Sequence, residues 1–325
     1  MNRVQVRKQK RKKKKGFILL ALLLLIGAGV FYWVYQYNQG VKEASDSTVK
    51  DKDFELFEGE EPKFGEINVM LLGSDARKDE DGRSDTLMVA NYNQKTEEVK
   101  LISIMRDTYV SIPGHGRQKM NAAYSYGGPE LVRQTLKENF NLDVHYYAIV
   151  DFNGFPKIVD LIAPDGIEVD IPYTMQHGIG MTLQPGKQTL HGEQLLGYVR
   201  FRHDKMSDFG RVERQQEALS KLKDEAVGFH SLVNLPKLLG TADTYVNTNL
   251  DKKTILSIAK GILENKSGSL QTLRVPVNQS YVDRRVDVGE VLDIDFDKNI
   301  QAIDEFLNPT VDTAADTTKD TDNQE

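Results

Sequence analysis

From Gly16 to Val41 the chain carries no charged residue, and Phe17 to Val30 is almost entirely Leu, Ile, Ala and Gly. A bilayer core accepts roughly 20 apolar residues as a helix, so residues 16–38 are long enough to span one. Phe31, Tyr32, Trp33, Tyr35 and Tyr37 collect at the far end, where amphipathic rings settle at a membrane interface. Residues 1–15 hold nine basic residues and no acid. By the positive-inside rule this places the N-terminus in the cytoplasm and the rest of the chain outside. A cleaved signal peptide would need a shorter apolar region and a small-x-small site. The aromatic block stands where that site would be, so the expectation is an uncleaved, single-pass anchor in the cell membrane.

Charge separates the two sides. The chain is −6 overall, and with nine positive charges in the first fifteen residues the remainder is −15. An acidic outer part lacks the basic footprint of a nucleic-acid binder. The run Lys8 to Lys15 beside a span is accounted for by anionic lipid. With no cysteine, disulfides and thiol chemistry are excluded.

Residues 39–65 read as a polar extracytoplasmic linker, and residues 309–325 as a Thr- and Asp-rich tail unable to offset the entropy of folding. Between them, residues 66–308 alternate β-branched runs with helical patterns. Ile67 to Leu72, Thr86 to Asn91, Val99 to Met105, Tyr109 to Ile112, Tyr146 to Val150, Ile167 to Ile171 and Leu273 to Val277 read as strands. Helices are expected from Gly128-Pro129, over Phe155 to Ile162, from an Asp208 N-cap to Val227, and around Leu232 to Leu239, Thr254 to Leu263 and Asn299 to Leu307. This alternation predicts an α/β fold with a central mixed sheet flanked by helices.

Four clusters put charge where a fold alone does not need it. Gly73-Ser74-Asp75-Ala76-Arg77 follows the first strand, and ligands of α/β sheets gather at the carboxyl ends of strands. Arg83-Ser84-Asp85-Thr86 enters the next. If the two strands are neighbours, Asp75 and Asp85 face each other across a loop, and two carboxylates with open positions suit Mg²⁺. Each Asp is also ordinary turn chemistry. Arg106-Asp107 interrupts an apolar strand, and neighbours on a strand point to opposite faces, so the two are expected to serve different partners. In Tyr198 to Asp204, Arg200 and Arg202 would share one face if Val199 to His203 is extended. Arg211, Arg214 and Gln215 share a helix face. Four guanidinium groups aimed at one region call for an anion, and their planar forks match phosphate oxygens. Ordinary pairing with Glu193, Asp204, Asp208 and Glu213 is the competing account. His203 reads as a packing or hydrogen-bonding residue and not a metal ligand, since no second His lies at ligand spacing. Serine hydrolase, nucleotide hydrolase and dinucleotide motifs do not occur.

Taken in order, Leu72 to Arg77, Arg83 to Thr86, Arg106 to Tyr109, Lys119 to Tyr124, Tyr198 to Arg202 and Arg211 to Gln216 resemble the successive motifs of the LytR-CpsA-Psr family. Met105, where many members have proline, and Gly128 to Leu136 are similar to its MsrR-type members. Met120, where isoleucine is common, conserves volume. The resemblance implies a phosphotransferase that moves a glycopolymer, such as wall teichoic acid or capsular polysaccharide, from an undecaprenyl-pyrophosphate carrier to peptidoglycan. It implies Asp75 and Asp85 as the Mg²⁺ acids. Arg83, Arg106, Lys119, Arg200, Arg202, Arg211 and Gln215 would hold the pyrophosphate. Arg106 and Asp107 are the expected catalytic pair, although the proton acceptor stays open between Asp107 and the two motif acids. The lipid chain would need an apolar slot beside helices such as Phe155 to Ile162. A membrane-anchored attenuator of envelope gene expression and a non-catalytic lipid-pyrophosphate binding module are the alternatives. The first meets the difficulty that about fifteen cytoplasmic residues are too few for a DNA-binding module.

Overall fold

Apolar runs without clean alternation are expected where a strand is covered on both faces, and Ile67 to Leu72 is such a run. In the computed structural model it forms the middle of β1 (Glu66–Ser74), whose residues are buried almost throughout. The structure describes residues 28–42, 57–62, 65–74, 84–204, 206–227, 229–264 and 268–309. Asp75, Arg83, residues 16–27 of the expected span, residues 43–56 of the expected linker and the tail from residue 310 lie outside the described residues. Among those described, no helix is long and apolar enough to cross a membrane.

β1 pairs antiparallel with β2 (Ser84–Asn93) and parallel with β6 (Tyr146–Asp151). β3 (Val99–Ile104), β9 (Val246–Thr248) and β10 (Gln271–Val275) complete a six-stranded mixed sheet in the order β10-β3-β2-β1-β6-β9. Three two-stranded ribbons surround it: β4 (Tyr109–Ile112) with β5 (Gly116–Lys119), β7 (Ile167–Ile171) with β8 (Gly186–Leu190), and β11 (Tyr281–Val286) with β12 (Gly289–Ile294). The helices are α1 (28–42), α2 (Ala122–Phe140), α3 (Phe155–Ile162), α4 (Gly192–Arg200), α5 (Asp208–Ala226), α6 (Phe229–Tyr245), α7 (Lys252–Glu264) and α8 (Phe296–Leu307).

The two-residue period of a strand sends alternate side chains to opposite faces. Met70 and Leu72 of β1, with Leu87 and Val89 of β2, join the large core that includes Val132, Leu136 and Phe140 of α2. Leu71 and Gly73 stand opposite Met88 and Thr86 on neighbouring β2, and these four line a space beneath α3, α4 and α5. A smaller core, built on Val159, Val169, Leu195 and Leu222, ties those helices to the β7–β8 ribbon.

Several local expectations change. Val199 to Arg200 is not extended: these residues close α4, started by a capping box at His191, which burial of Leu195 and Val199 on one helical face stabilises. Arg106 and Asp107 lie in the turn after β3, not on the strand. Released from strand alternation, they contact each other (3.3 Å) instead of facing apart. Asp208 is the first residue of α5 and Ser207 its cap position; the carboxylate is taken by arginines. α2 begins at Ala122 and breaks at Gly127-Gly128, where Gly128 adopts φ 61°, a conformation open to glycine at little cost. Pro129 then restarts the helix.

The end of α1 is seated on the body. A Cβ on Gly40 would stand 2.2 Å from Lys237 O, and one on Gly240 would stand 2.2 Å from Tyr37 O. Each glycine thus lets the other backbone approach. The Tyr37 hydroxyl donates to Asp243, which also accepts from Lys252 at 3.1 Å.

Candidate active site

The β1–β2 hairpin forms as expected, with Gly73 opposite Thr86 and Ser74 opposite Ser84. It brings Asp85 to the carboxyl end of β1, beside the β3 turn and the start of α5. Asp75 and Arg83 belong to the loop outside the described residues.

Arg106 is the hub. Its Nη1 donates to Asp85 Oδ1 at 2.9 Å and its Nε to Asp208 Oδ2 at 2.9 Å, with Asp107 Oδ2 at 3.3 Å. Burial disfavours the charge, but Asp208, Asp85 and Asp107 together outweigh it and raise the guanidinium pKa. Asp107 also accepts from Lys119 Nζ at 2.7 Å. Burial pushes its carboxyl up, while hydrogen bonding with Lys119 and Asp208 and the charges of Arg106 and Lys119 bring it below the ordinary carboxylate range.

Arg211 differs. Its side chain is only 6% exposed, with Asp208 Oδ1 3.2 Å from Nη1. Its Nε is buried with no hydrogen-bond partner. Burial, then the neighbouring charges of Arg106 and Arg202, outweigh Asp208 and Asp85 and lower its pKa. A buried cation in this setting gains by pairing with an anion. Arg200 and Arg202 face the same space, Arg200 with its guanidinium 5.0 Å from the centre of the Phe152 ring. Among the described residues Arg202 makes no ion pair. Gln215 Nε2 donates to Thr86 Oγ1 at 3.0 Å. Arg214 does not join them: it bonds Asp204 at 2.8 Å and the Phe201 carbonyl and lies over the Phe201 ring. Three of the four expected guanidinium groups converge, and ordinary pairing absorbs the fourth.

Three connected spaces result. An apolar slot of about 740 Å³ runs between the sheet and helices α3 to α5, bounded by Leu71, Met88, Phe155, Leu196, Val199 and Leu222. It shares Thr86, Phe152, Arg200 and Gln215 with a polar neck of about 550 Å³, which also holds Arg202 and Arg211. The neck shares Asp85 and Arg202 with an outer chamber of about 1100 Å³, bordered by Arg106, Asp107 and Lys119. Gly73 lies where the slot meets the neck. A Cβ there would come within 2.9 Å of Phe152 Cε1 and 3.1 Å of Thr86 Cβ.

Asp85 keeps an open face: one oxygen meets Arg106, and the side chain is 44% exposed. It fits the demand of Mg²⁺ for one or two carboxylates completed by phosphate oxygens. No group of three or more metal-ligating side chains occurs among the described residues; Asp75, the second expected acid, lies outside them.

Phe152, His177, His203 and Asp208 join the site beyond the residues expected there. Asp151 pairs with Ser74 across parallel strands, so the strand-end rule that flagged Gly73 to Arg77 also points to Phe152. The Asp208-to-Arg211 spacing of i, i+3 is a legible sign of an ion pair. His177 reaches the neck from a distant loop, its ring centre 6.0 Å from that of His203, and no sequence spacing signals it.

The family model for the LytR_cpsA_psr family matches residues 30–303. Regulatory protein MsrR of Staphylococcus aureus (strain COL) is 40% identical over 280 residues, covering 86% of this chain and 85% of that protein. The polyisoprenyl-teichoic acid–peptidoglycan teichoic acid transferase TagU of Bacillus anthracis (strain CDC 684 / NRRL 3495) is 32% identical over 239 residues, covering 72% and 78%. Among solved structures, Bacillus subtilis TagV superposes with a TM-score of 0.63 at 27% identity, covering 77% of this chain and 100% of that one. TagT bound to LIIa-WTA gives 0.61 at 27% identity, covering 81% and 96%. A family match over most of the chain and a fold shared with these structures lead to one conclusion: the chain belongs to the LytR_cpsA_psr family.

Proposed function

We propose that this protein is a phosphotransferase that moves a glycopolymer from a polyisoprenyl-pyrophosphate carrier to peptidoglycan on the outer side of the cytoplasmic membrane. The observation that carries it is the continuity of an apolar slot with a neck in which Arg211 Nε is buried without a partner. An isoprenoid chain fills the slot and its pyrophosphate meets Arg200, Arg202 and Arg211. The names of the TagU relative and of the TagT complex, with their polyisoprenyl-linked and wall-polymer ligands, support this reading.

In the reaction, a peptidoglycan hydroxyl attacks the phosphorus that bears the glycan. The bond from that phosphorus to the bridging oxygen breaks, and the electron pair leaves on the polyisoprenyl phosphate. Such transfers depend on positioning and charge neutralisation, which Arg200, Arg202 and Arg211 provide in the neck. Arg106 fixes Asp85, Asp107 and Asp208 around it. Asp107 borders the chamber and is ionised at neutral pH because Lys119 and Arg106 hold it so. It is a weak base, suited to take the hydroxyl proton late, when P–O bond formation has made that proton acidic. Asp85 and Asp75 would hold Mg²⁺, which supplies further neutralisation of phosphate charge. Arg83 and Gln215 complete the pyrophosphate contacts. Residues 16–38 anchor the chain, N-terminus inside, in the membrane that carries the donor.

The test is the full chain in lipid vesicles with lipid-linked glycopolymer, peptidoglycan and Mg²⁺. Polymer phosphodiester-linked to peptidoglycan, with release of polyisoprenyl phosphate, is expected, and chelation with EDTA abolishes it. Saturable donor binding without transfer would make the protein a binding module instead.

A further inference from the structure

The outer chamber changes character away from Arg106. There its wall includes Gln118 of β5, Asn121 and Ser125 at the start of α2, Val288, and Tyr126, which is 48% exposed. The helix breaks just after it, at Gly127-Gly128. Its ring lies on His115 of the β4–β5 turn, with centres 4.5 Å apart and planes 16° from parallel. An exposed, braced aromatic face beside neutral amide side chains is the composition of a saccharide site: the ring meets the C–H face of a pyranose and the amides meet its hydroxyl and acetamido groups. It does not resemble a phosphate site: Lys119, which also borders the chamber, is paired with Asp107 at 2.7 Å, and Arg200 and Arg211 line the neck.

We infer that this part of the chamber binds the acceptor glycan, with Tyr126, backed by His115, as the platform for a pyranose ring next to the attacking hydroxyl. This rests on the phosphotransferase reading and deepens it. The direction of reaction decides between acceptor and donor sugars. In-line displacement at phosphorus requires the nucleophile opposite the leaving oxygen. The leaving polyisoprenyl phosphate lies on the slot side of the neck, so the nucleophile arrives from the opposite side, through the chamber that meets the neck at Asp85 and Arg202. The donor glycan, a third substituent on the same phosphorus, leaves sideways.

The test uses the full chain in nanodiscs, with donor and acceptor concentrations varied separately. Tyr126→Ala should raise the acceptor KM about tenfold, the scale of one aromatic contact, and leave the donor KM within about twofold. Its melting temperature should match the wild type, since the side chain is exposed. Tyr126→Phe, which keeps the ring, should restore the acceptor KM. An unchanged acceptor KM in Tyr126→Ala overturns the inference, and so does a rise confined to the donor KM, which would make the platform a donor-sugar site. Saturation-transfer NMR with a soluble oligosaccharide of alternating N-acetylglucosamine and N-acetylmuramic acid separates the two proposals. If the wild type transfers nothing yet binds this probe, and Tyr126→Ala does not, the phosphotransferase reading fails and the saccharide site stands. No binding of the probe by the wild type removes the site.

Discussion

Replacing Arg106 with methionine keeps the side-chain volume and removes the charge that three carboxylates share. The Asp85 arm is worth little, about 0–1 kcal/mol, because Asp85 is 44% exposed and screened. The Asp208 arm matters more: that carboxylate is 12% exposed, and breaking a buried pair costs roughly 3–5 kcal/mol. Asp208 keeps Arg211 at 3.2 Å, which places the loss at the lower end, about 3 kcal/mol in total. For a domain of this size that is a fall in Tm of roughly 6–12 °C. The effect depends on pH in a defined direction. Asp107 has its folded pKa depressed, so its contribution is present above the unfolded carboxylate pKa of about 4 and is lost as pH falls through the lower folded value. Without Arg106 the three carboxylates repel and Asp107 loses one of the charges that lower its pKa, so protonation relieves the variant first. Thermal melts at pH 7 and pH 4 should therefore show the gap between wild type and Arg106→Met narrowing at the acidic end. A Tm within about 2 °C of wild type at pH 7, or a gap that does not narrow on acidification, would refute the hub assignment. Transfer should fall about 10²–10³-fold in the same variant.

Inorganic pyrophosphate should stabilise the wild type by about 2.7 kcal/mol at a hundredfold excess over its Kd, and thermal-shift titration should find this stabilisation lost in Arg211→Gln. A bulky residue at Gly240 cannot coexist with Tyr37 O at the present helix separation. Gly240→Val should therefore raise hydrogen exchange in residues 28–42 while leaving β1 to β3 protected.

Much of the frame was legible because its signals are local. The apolar runs of β1, β2, β3 and β6 emerge close to their expected ends, and Phe155–Ile162 and Ile167–Ile171 match theirs. The misses share a cause. β5, β8 and β9 are short and partly polar, and they are strands only because a partner lies alongside. The β11–β12 ribbon is largely exposed and charged on its first strand, so it lacks an apolar stripe. At the site, side-chain types were readable, and Arg200, Arg202, Arg211 and Gln215 line one space among the described residues. How they divide the work was not: Arg106 and Asp107 looked opposed only under strand geometry, and a turn brings them together.

By itself the sequence determined the long uncharged segment, the acidic character of the chain beyond it, the absence of thiol chemistry and the order of charged motifs along an α/β pattern. These features rest on composition and on periods of 2 and 3.6 residues, which need no distant neighbour. Only the tertiary structure decided which charges are spent and which remain. Arg214 is neutralised by Asp204 and a backbone carbonyl, whereas Arg211, three residues away on the same helix, shares its one close carboxylate, Asp208, with Arg106, and burial lowers its pKa. Nothing in the local sequence distinguishes them. The difference lies in what the sheet and the turns carry to each face of α5, because the cost of burying a charge depends on the groups that surround it in space.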